Sequence, residues 1–319
     1  MKVLLIGAGR MGTRHLQGLD GVASACDVVD PDAKAREGVR STTGKTEIKT
    51  FAALDAVPAD AGYDAAILAS TATDRRELFE GIERRGVPAI LVEKPIAQNR
   101  ADAKAVLDRV ASSKSAVWVN HYRRTLSGFE PLRQAGGPFV LSISSGAMGL
   151  GANGVHWIDF AIHLTGAKSG KLLYGEIDDA IIRSGRGPSF RDYGGRGVFA
   201  FPDGSRLMLS CAAGSSAPTM MSIVTPTAHW IVDQHDDRTL RHTRASGVDH
   251  PTYLYGKDYG SETVQGLEAV DLPGLTRDWI RAISENRAPP QPRAADVALV
   301  YELLFDLLET SGETQFTFT

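Results

Sequence analysis

The sequence predicts an α/β protein of two domains, in which a doubly wound parallel sheet is followed by a domain with a mainly antiparallel sheet. Residues 2–120 alternate short apolar runs with longer amphipathic segments, the pattern of alternating strands and helices. The second half instead carries alternating strand-like segments separated by Gly-rich turns. The 319 residues are too many for one small core and suit two domains of ordinary size.

The first domain contains short runs that are nearly continuous in Val, Ile, Leu and Ala, as expected of strands covered on both faces. The predicted strands are residues 2–6, 24–29, 64–69, 88–92 and 116–119. Amphipathic stretches between them predict helices at residues 11–20, 31–39, 73–85 and 99–113. Since the pattern changes near residue 121, we expect a first domain of residues 1–121 and a second of 122–319.

The second domain begins with a predicted helix near residues 153–165 and continues with strand-like alternation from 170 to about 265. Residues 199–210 read as strand, tight turn and strand, because Asp203-Gly204 is a strong hairpin signal. Hairpins of this kind build an antiparallel sheet. Two helices, at residues 272–286 and 292–310, are predicted to close the chain and are able to pack back on the first domain.

Composition excludes several classes of partner. The net charge is −3 and there is no Lys/Arg block, so neither nucleic acid nor a membrane surface is an expected partner. The two cysteines, Cys26 and Cys211, lie in apolar stretches without zinc-type spacing and are expected to be buried. No apolar run is long enough for a signal-peptide core or a membrane span, which predicts a cytoplasmic protein.

A glycine motif follows the first predicted strand. Gly7-Ala8-Gly9-Arg10-Met11-Gly12 matches GxGxxG and opens a predicted helix, the context that gives this common pattern meaning. The first glycine permits a tight turn, the second lets the backbone approach a pyrophosphate, and the third lets helix and strand pack closely. The helix N-terminus offers N–H groups to phosphates. The motif therefore predicts a dinucleotide site.

An acid ends the second predicted strand, at the distance expected for a ribose-binding residue. Asp30 lies 21 positions after Gly9, where its carboxylate can accept hydrogen bonds from the adenosine ribose and repel the extra phosphate of NADP. We therefore predict NAD rather than NADP. A second role for Asp30, as a helix N-cap before Pro31, is compatible with the first. Asp27 and Asp32 are alternative candidates for the ribose contact, whereas the positive charges of Lys34 and Arg36 would favour the extra phosphate of NADP.

Two further groups of polar residues stand out. Lys94, in Glu93-Lys94-Pro95, follows a predicted parallel strand and so points towards the crevice where such sheets bind ligands. His156, Asp159 and His163 have i, i+3, i+7 spacing and share one face of a predicted helix. Two histidines and a carboxylate suit a divalent metal, but no fourth ligand is signalled, so no metal site is predicted.

The order of these motifs resembles the Gfo/Idh/MocA family, the group of glucose–fructose oxidoreductase and inositol dehydrogenase. The resemblance covers nearly the whole chain, with Glu-Lys-Pro and Asp-x-x-x-His as its more specific elements. Besides the glycine motif and Glu93-Lys94-Pro95, the segments that carry it are Asp30-Pro31-Asp32, Val119-Asn120-His121-Tyr122-Arg123-Arg124, residues 154–163 and residues 278–283.

The resemblance implies a Rossmann domain followed by an α/β domain whose large, open, mainly antiparallel sheet makes oligomer contacts, hence a homodimer or homotetramer. It also implies a cis peptide before Pro95, and a cofactor in the crevice with Lys94 near the nicotinamide. The other residues implied to contact NAD are Gly7, Gly9, Arg10, Met11, Gly12, Asp30, Ser70, Thr71, Glu93 and Pro95. The segment Ser70–Arg76 departs from the family in lacking the Pro and His that many members carry after Thr.

The implied activity is hydride transfer between NAD and a secondary alcohol or ketone of a sugar, inositol or related polyol. His163 would then take the hydroxyl proton, Asp159 would position the substrate or the imidazole, and Lys94 would hydrogen-bond the reacting oxygen. Substrate-binding candidates are Asn120, Tyr122, Arg123 and His156, although His156 also suits plain packing. Two alternatives remain: a tightly held NAD in a redox-neutral reaction, and a catalytically silent NAD-binding regulator.

Overall fold

The computed structural model describes residues 1–245, 247, 259–265 and 270–319. Internal contacts divide the chain into two compact units. The first unit comprises Met1–Thr125, Asp271–Ala298 and Thr319, and the second comprises Leu126–Val270 and Leu299–Phe318. Each unit is built on one sheet, and together the two sheets confirm the predicted fold class.

Six parallel strands form the sheet of the first unit, in the order β3-β2-β1-β4-β5-β6. They are β1 Lys2–Ile6, β2 Ala25–Val29, β3 Glu47–Phe51, β4 Ala65–Leu68, β5 Ala89–Val92 and β6 Ala116–Val119. Five of the six were predicted within one residue. The sequence prediction missed β3, because this edge strand is only partly buried and carries Glu47 and Lys49 where a buried strand would be apolar.

The α-helices follow the predicted pattern with small shifts at their ends. They are α1 Arg10–Leu19, α2 Ala33–Val39, α3 Arg75–Glu83, α4 Arg100–Ser112, α5 Glu130–Ala135, α6 Val155–Thr165, α7 Leu272–Ser284 and α8 Ala298–Leu308. The predicted helix at 292–310 was too long, because a 3₁₀ turn at Ala294–Val297 precedes α8. Helix α5 was not predicted, and α6 continues from a π-helical turn at Leu150–Gly154.

Eight strands form the sheet of the second unit, in the order β14-β13-β12-β11-β7-β10-β9-β8. They are β7 Val140–Ser145, β8 Lys171–Arg183, β9 Arg191–Ala200, β10 Arg206–Cys211, β11 Met220–Val224, β12 Ala228–Asp233, β13 Arg238–Arg244 and β14 Tyr259–Gln265. All neighbours are antiparallel except β7 and β10. The predicted hairpin is confirmed, since Ala200 pairs with Arg206 across the Asp203-Gly204 turn.

One face of the second sheet is buried and the other is left partly open. Along β7, β10 and β11, side chains alternate between fully buried and half-buried or exposed. Large apolar side chains on the open face are more than a third exposed: Val140, Met208, Met220 and Val224. Their position within regular strands shows that this apolar surface belongs to the sheet and not to a loop.

Helix α7 belongs to the first unit although it lies more than 150 residues beyond β6 in the sequence. It packs on α1, and the ring of its Trp279 meets the edge of Trp118 on β6 at a centroid distance of 5.9 Å. Both rings are buried. This packing brings Thr276 of α7 to His15 of α1, which is the first contact of the polar network described below.

Among the residues that the structure describes, no helix combines the length and apolar character needed to cross a membrane. Cys26 and Cys211 are free thiols and both are buried, as the sequence predicts. Burial raises the pKa of both thiols, because a thiolate loses its hydration there.

Candidate functional site

The turn between β1 and α1 has the form of a phosphate cradle. Gly7 has φ +98, and a Cβ there would lie 2.7 Å from the Ala69 carbonyl group. A Cβ on Gly12 would lie 1.8 Å from the Gly7 carbonyl oxygen, so the helix touches the turn directly. In contrast, a Cβ on Gly9 would meet nothing within 4 Å. Space therefore exists at Gly9, beside a helix N-terminus that no side chain caps.

Asp30 faces this turn from the end of β2. Its Oδ2 accepts a hydrogen bond from the backbone N–H of Ala8 at 2.7 Å, and its Oδ1 accepts one from Asp32 N–H at 2.8 Å. The side chain is half-buried, so part of the carboxylate remains accessible. The carboxylate is thus fixed next to the cradle, where the ribose of a dinucleotide follows the pyrophosphate.

The structure assigns separate roles to the charged neighbours of Asp30. Asp32, not Asp30, caps α2 by accepting from Lys34 N–H at 2.9 Å, so the predicted N-cap role for Asp30 is wrong. Asp27 is buried within β2 and accepts from the Tyr63 hydroxyl at 2.5 Å. The Arg36 guanidinium donates to the backbone carbonyls of Asp30 and Pro31 at 2.7 and 2.9 Å.

Glu93 anchors the turn that follows β5. The Lys94–Pro95 peptide is cis, as the resemblance implies. Burial raises the pKa of the Glu93 carboxyl, but hydrogen bonds from His15 and Asn120 and the charge of Lys94 outweigh it and lower the pKa to about 2. Since an ionised carboxylate only accepts, His15 Nε2 donates to Oε1 at 2.9 Å and Asn120 Nδ2 donates to the same oxygen at 2.5 Å.

Asn120 contributes one more polar atom to this network. Its side chain is 5% exposed, and its amide nitrogen is committed to Glu93. Within the described part of the chain, the amide oxygen has no hydrogen-bond partner.

Tyr122 and Arg123, the other candidates after β6, lie on a 3₁₀ turn at Tyr122–Thr125, with the Arg123 guanidinium 5.4 Å from the Tyr122 ring centre.

Ser70 and Thr71 lie at the end of β4, next to a residue that sequence reasoning missed. The side chain of Arg75 donates to the backbone carbonyls of Glu93 and Pro95, and also to the Ser70 carbonyl at 2.6 Å. Arg75 is 3% exposed. The departure of Ser70–Arg76 from the family pattern was the signal in the sequence, but it did not indicate what Arg75 contacts.

His156, Asp159 and His163 all lie on α6 in the second unit, as their spacing predicts. Asp159 is 0% exposed and His156 is 2% exposed, whereas His163 is half-buried. This burial favours a packing role for His156. Within the residues that the structure describes, no group of three or more His, Cys, Asp or Glu side chains is arranged to hold a metal ion.

Asp192, at the start of β9, fixes the beginning of the helical segment that carries these residues. Its carboxylate accepts from the N–H groups of Gly151 and Ala152 at 2.8 and 2.9 Å. Since Asp192 is buried, these charge-assisted bonds satisfy helix donors that would otherwise lack partners. The π-helical turn and α6 therefore begin at a defined position relative to the sheet.

The sheet order, the glycine turn and the acid at the end of β2 define a Rossmann-type dinucleotide-binding domain. Residues 1–121 match the model of the Gfo/Idh/MocA family, described as an oxidoreductase family with an NAD-binding Rossmann fold. This match supports, over residues 1–121, the resemblance that the sequence motifs indicate.

Two curated relatives are inositol 2-dehydrogenases. The enzyme from Rhizobium meliloti (strain 1021) is 33% identical over 133 residues, covering 41% of this chain and 39% of the relative. The enzyme from Renibacterium salmoninarum is 31% identical over 137 residues, covering 42% and 40%. The matched region thus spans about two fifths of the length of these relatives.

Solved structures share the fold over nearly the full length. Levoglucosan dehydrogenase in complex with NADH has a TM-score of 0.75 at 17% identity, covering 99% of this chain and 98% of that one. An oxidoreductase from Agrobacterium radiobacter, in complex with NAD⁺, L-tartaric acid and magnesium, has a TM-score of 0.75 at 16% identity, covering 98% and 96%. At these identities the likeness shows the fold alone.

Proposed function

We propose that this protein is an NAD(H)-dependent oxidoreductase that transfers hydride between the nicotinamide and a secondary alcohol or ketone of a sugar, inositol or related polyol. One observation carries the proposal: the carboxyl ends of β1, β2 and β5, in a single sheet, bear the glycine turn, Asp30 and Lys94. Ligands of such sheets bind at that edge. The named activities of the curated relatives support the polyol class.

The preference for NAD over NADP rests on charge at the end of β2. Asp30 holds a negative charge where the ribose 2′ position would lie, and the extra phosphate of NADP would meet it. Arg36, the rival suggested by the sequence, donates through its Nη1 to two backbone carbonyls. Its cation is therefore engaged by the turn that also positions Asp30.

In the proposed reaction, this chain supplies the proton transfer and the stabilisation of charge. His163 accepts the hydroxyl proton as a neutral imidazole, Asp159 stabilises the positive charge that develops, and Lys94 donates a hydrogen bond to the reacting oxygen. The bound nicotinamide supplies the hydride acceptor. The described residues fit this cofactor, since Gly9 leaves space for the pyrophosphate and Asn120 offers an unused acceptor beside Glu93.

The experiment that tests this function is a screen of polyols and keto-sugars with NAD⁺ and NADH, read at the nicotinamide absorbance band. We expect turnover with at least one polyol, and more turnover with NAD⁺ than with NADP⁺. A nicotinamide band in the purified protein, without net turnover, would favour a retained cofactor in a redox-neutral reaction. Binding of NADH with neither retention nor turnover would leave the silent regulator.

The homodimer or homotetramer predicted from the resemblance is proposed to use the open face of the second sheet. Val140, Met208, Met220 and Val224 expose apolar surface there, and association of two copies would remove it from water. Light scattering should give a mass of two or four chains, and replacing Met208 and Val224 with aspartate should lower it. A monomeric wild-type protein would refute this assembly.

The cytoplasmic location stays a prediction of the sequence.

A further inference from the structure

The side chain of Arg75 joins the ends of β4 and β5 through its hydrogen bonds. Its guanidinium donates to the carbonyl oxygens of Glu93 and Pro95, the two residues that flank Lys94, and to the carbonyl oxygen of Ser70 after β4. A planar guanidinium presents its donors in a rigid fork, so one side chain can fix several acceptors in one geometry.

Burying the charged side chain of Arg75 costs free energy, which indicates that its position is important to the turn around Lys94. Arg75 is 3% exposed, and a guanidinium stays charged inside a protein. Removing a charge from water is expensive unless polar groups replace the lost hydration. Here backbone carbonyls of the Lys94 turn supply that replacement, so the charge and the turn stabilise each other.

Lys94 is thereby held from both sides. The side chain of Glu93 is fixed by His15 and Asn120, while the main chain on either side of Lys94 is fixed by Arg75. Lys94 itself is half-buried between the buried residues Glu93 and Pro95. The main chain at Lys94 is therefore held on both sides.

We infer that Arg75 is a positioning residue that holds Lys94 in its working geometry by clamping the carbonyls on either side of it, and that it does the same for the Ser70 end of the cofactor site. The inference rests on the proposed function, in which Lys94 contacts the reacting oxygen. A shift of about 1 Å in a reacting group costs about 10²-fold in rate. Loss of the clamp should therefore lower kcat.

The test compares Arg75→Met with Arg85→Met. Arg85 is a matched control, because its half-buried guanidinium also donates to two backbone carbonyls, those of Gly81 and Leu54, at 3.0 and 2.6 Å. Both variants lose a guanidinium that bridges carbonyls, so both should lower Tm. Only Arg75→Met should lower kcat, by about 10²-fold, with a much smaller change in NADH affinity. An equal kcat in the two variants would overturn the inference.

A second measurement separates this inference from the proposed function. Amide hydrogen exchange of the ligand-free protein should accelerate in the peptide that covers residues 93–97 in Arg75→Met, and not in Arg85→Met. If the wild-type protein turns over no polyol but this exchange pattern appears, the proposed oxidoreductase activity is refuted and the positioning of the Lys94 turn by Arg75 is supported. If turnover is found but residues 93–97 exchange at the wild-type rate in Arg75→Met, the clamp is refuted and the function stands.

Discussion

Replacing His163 with alanine should lower kcat by about 10²- to 10⁴-fold, the contribution of a general base, while leaving NADH binding unchanged. The reason is that oxidation of an alcohol requires loss of the hydroxyl proton as hydride leaves carbon, and the substitution removes the imidazole proposed to take it. His163 is half-buried near the end of α6, so its loss creates less of a cavity than loss of a core residue. Steady-state kinetics and NADH titration measure the two effects.

His235 provides the control for this prediction. Its side chain is 75% exposed, and its replacement by alanine should change neither kcat nor NADH affinity. The pair therefore separates loss of the proposed base from loss of any histidine. Unchanged turnover in His163→Ala would show that the base assignment is wrong and would direct attention to other groups on the chain.

Replacing Gly9 with alanine should weaken NADH binding by about tenfold to a hundredfold, since overpacking costs about 1–3 kcal/mol and about 1.4 kcal/mol corresponds to tenfold. The added methyl group enters space that is open in the structure and that we assign to the pyrophosphate. Gly9 has φ −67, which alanine adopts readily, so the free energy of unfolding should change by less than about 1 kcal/mol. Titration with NADH and denaturant unfolding measure the two quantities.

Two other glycines make this prediction specific. A methyl group on Gly12 would lie 1.8 Å from the Gly7 carbonyl oxygen, so Gly12→Ala should lower the unfolding free energy by about 3 kcal/mol or more. Gly38, in α2, has nothing within 4 Å, so Gly38→Ala should leave binding unchanged and stabilise slightly. If Gly9→Ala bound NADH as well as the wild type, the proposed phosphate site would be wrong.

Local sequence patterns predicted most of the first sheet, because buried parallel strands need continuous apolar residues. The same rule missed β3, an edge strand with two charged residues, and it could not show that α7 joins the first unit. That packing depends on contacts between residues far apart in sequence, such as Trp118 with Trp279 and His15 with Thr276. The periodicity of apolar residues within one segment does not predict such contacts.

The candidate site was predictable where the spacing of residues in a motif determines their arrangement in space. The glycine turn and the shared helix of His156, Asp159 and His163 follow from spacing alone. The roles of individual polar residues did not follow. The sequence suggested Asp30 as the cap of α2, but Asp32 is the cap, and the Arg75 side chain donates to carbonyls that no sequence pattern reveals. Hydrogen-bond partners depend on side-chain direction, which the order of residues does not specify.

The most direct test of NAD-dependent function is titration of cofactor-free protein with NADH and with NADPH. Quenching of tryptophan emission and energy transfer to the nicotinamide would report binding, since Trp118 and Trp279 both lie in the first unit. We predict tight binding of NADH, weak binding of NADPH, and a smaller difference between them in Asp30→Ala. Stronger binding of NADPH would contradict the role of Asp30 and implicate Lys34 or Arg36, and binding of neither would refute the proposed enzyme.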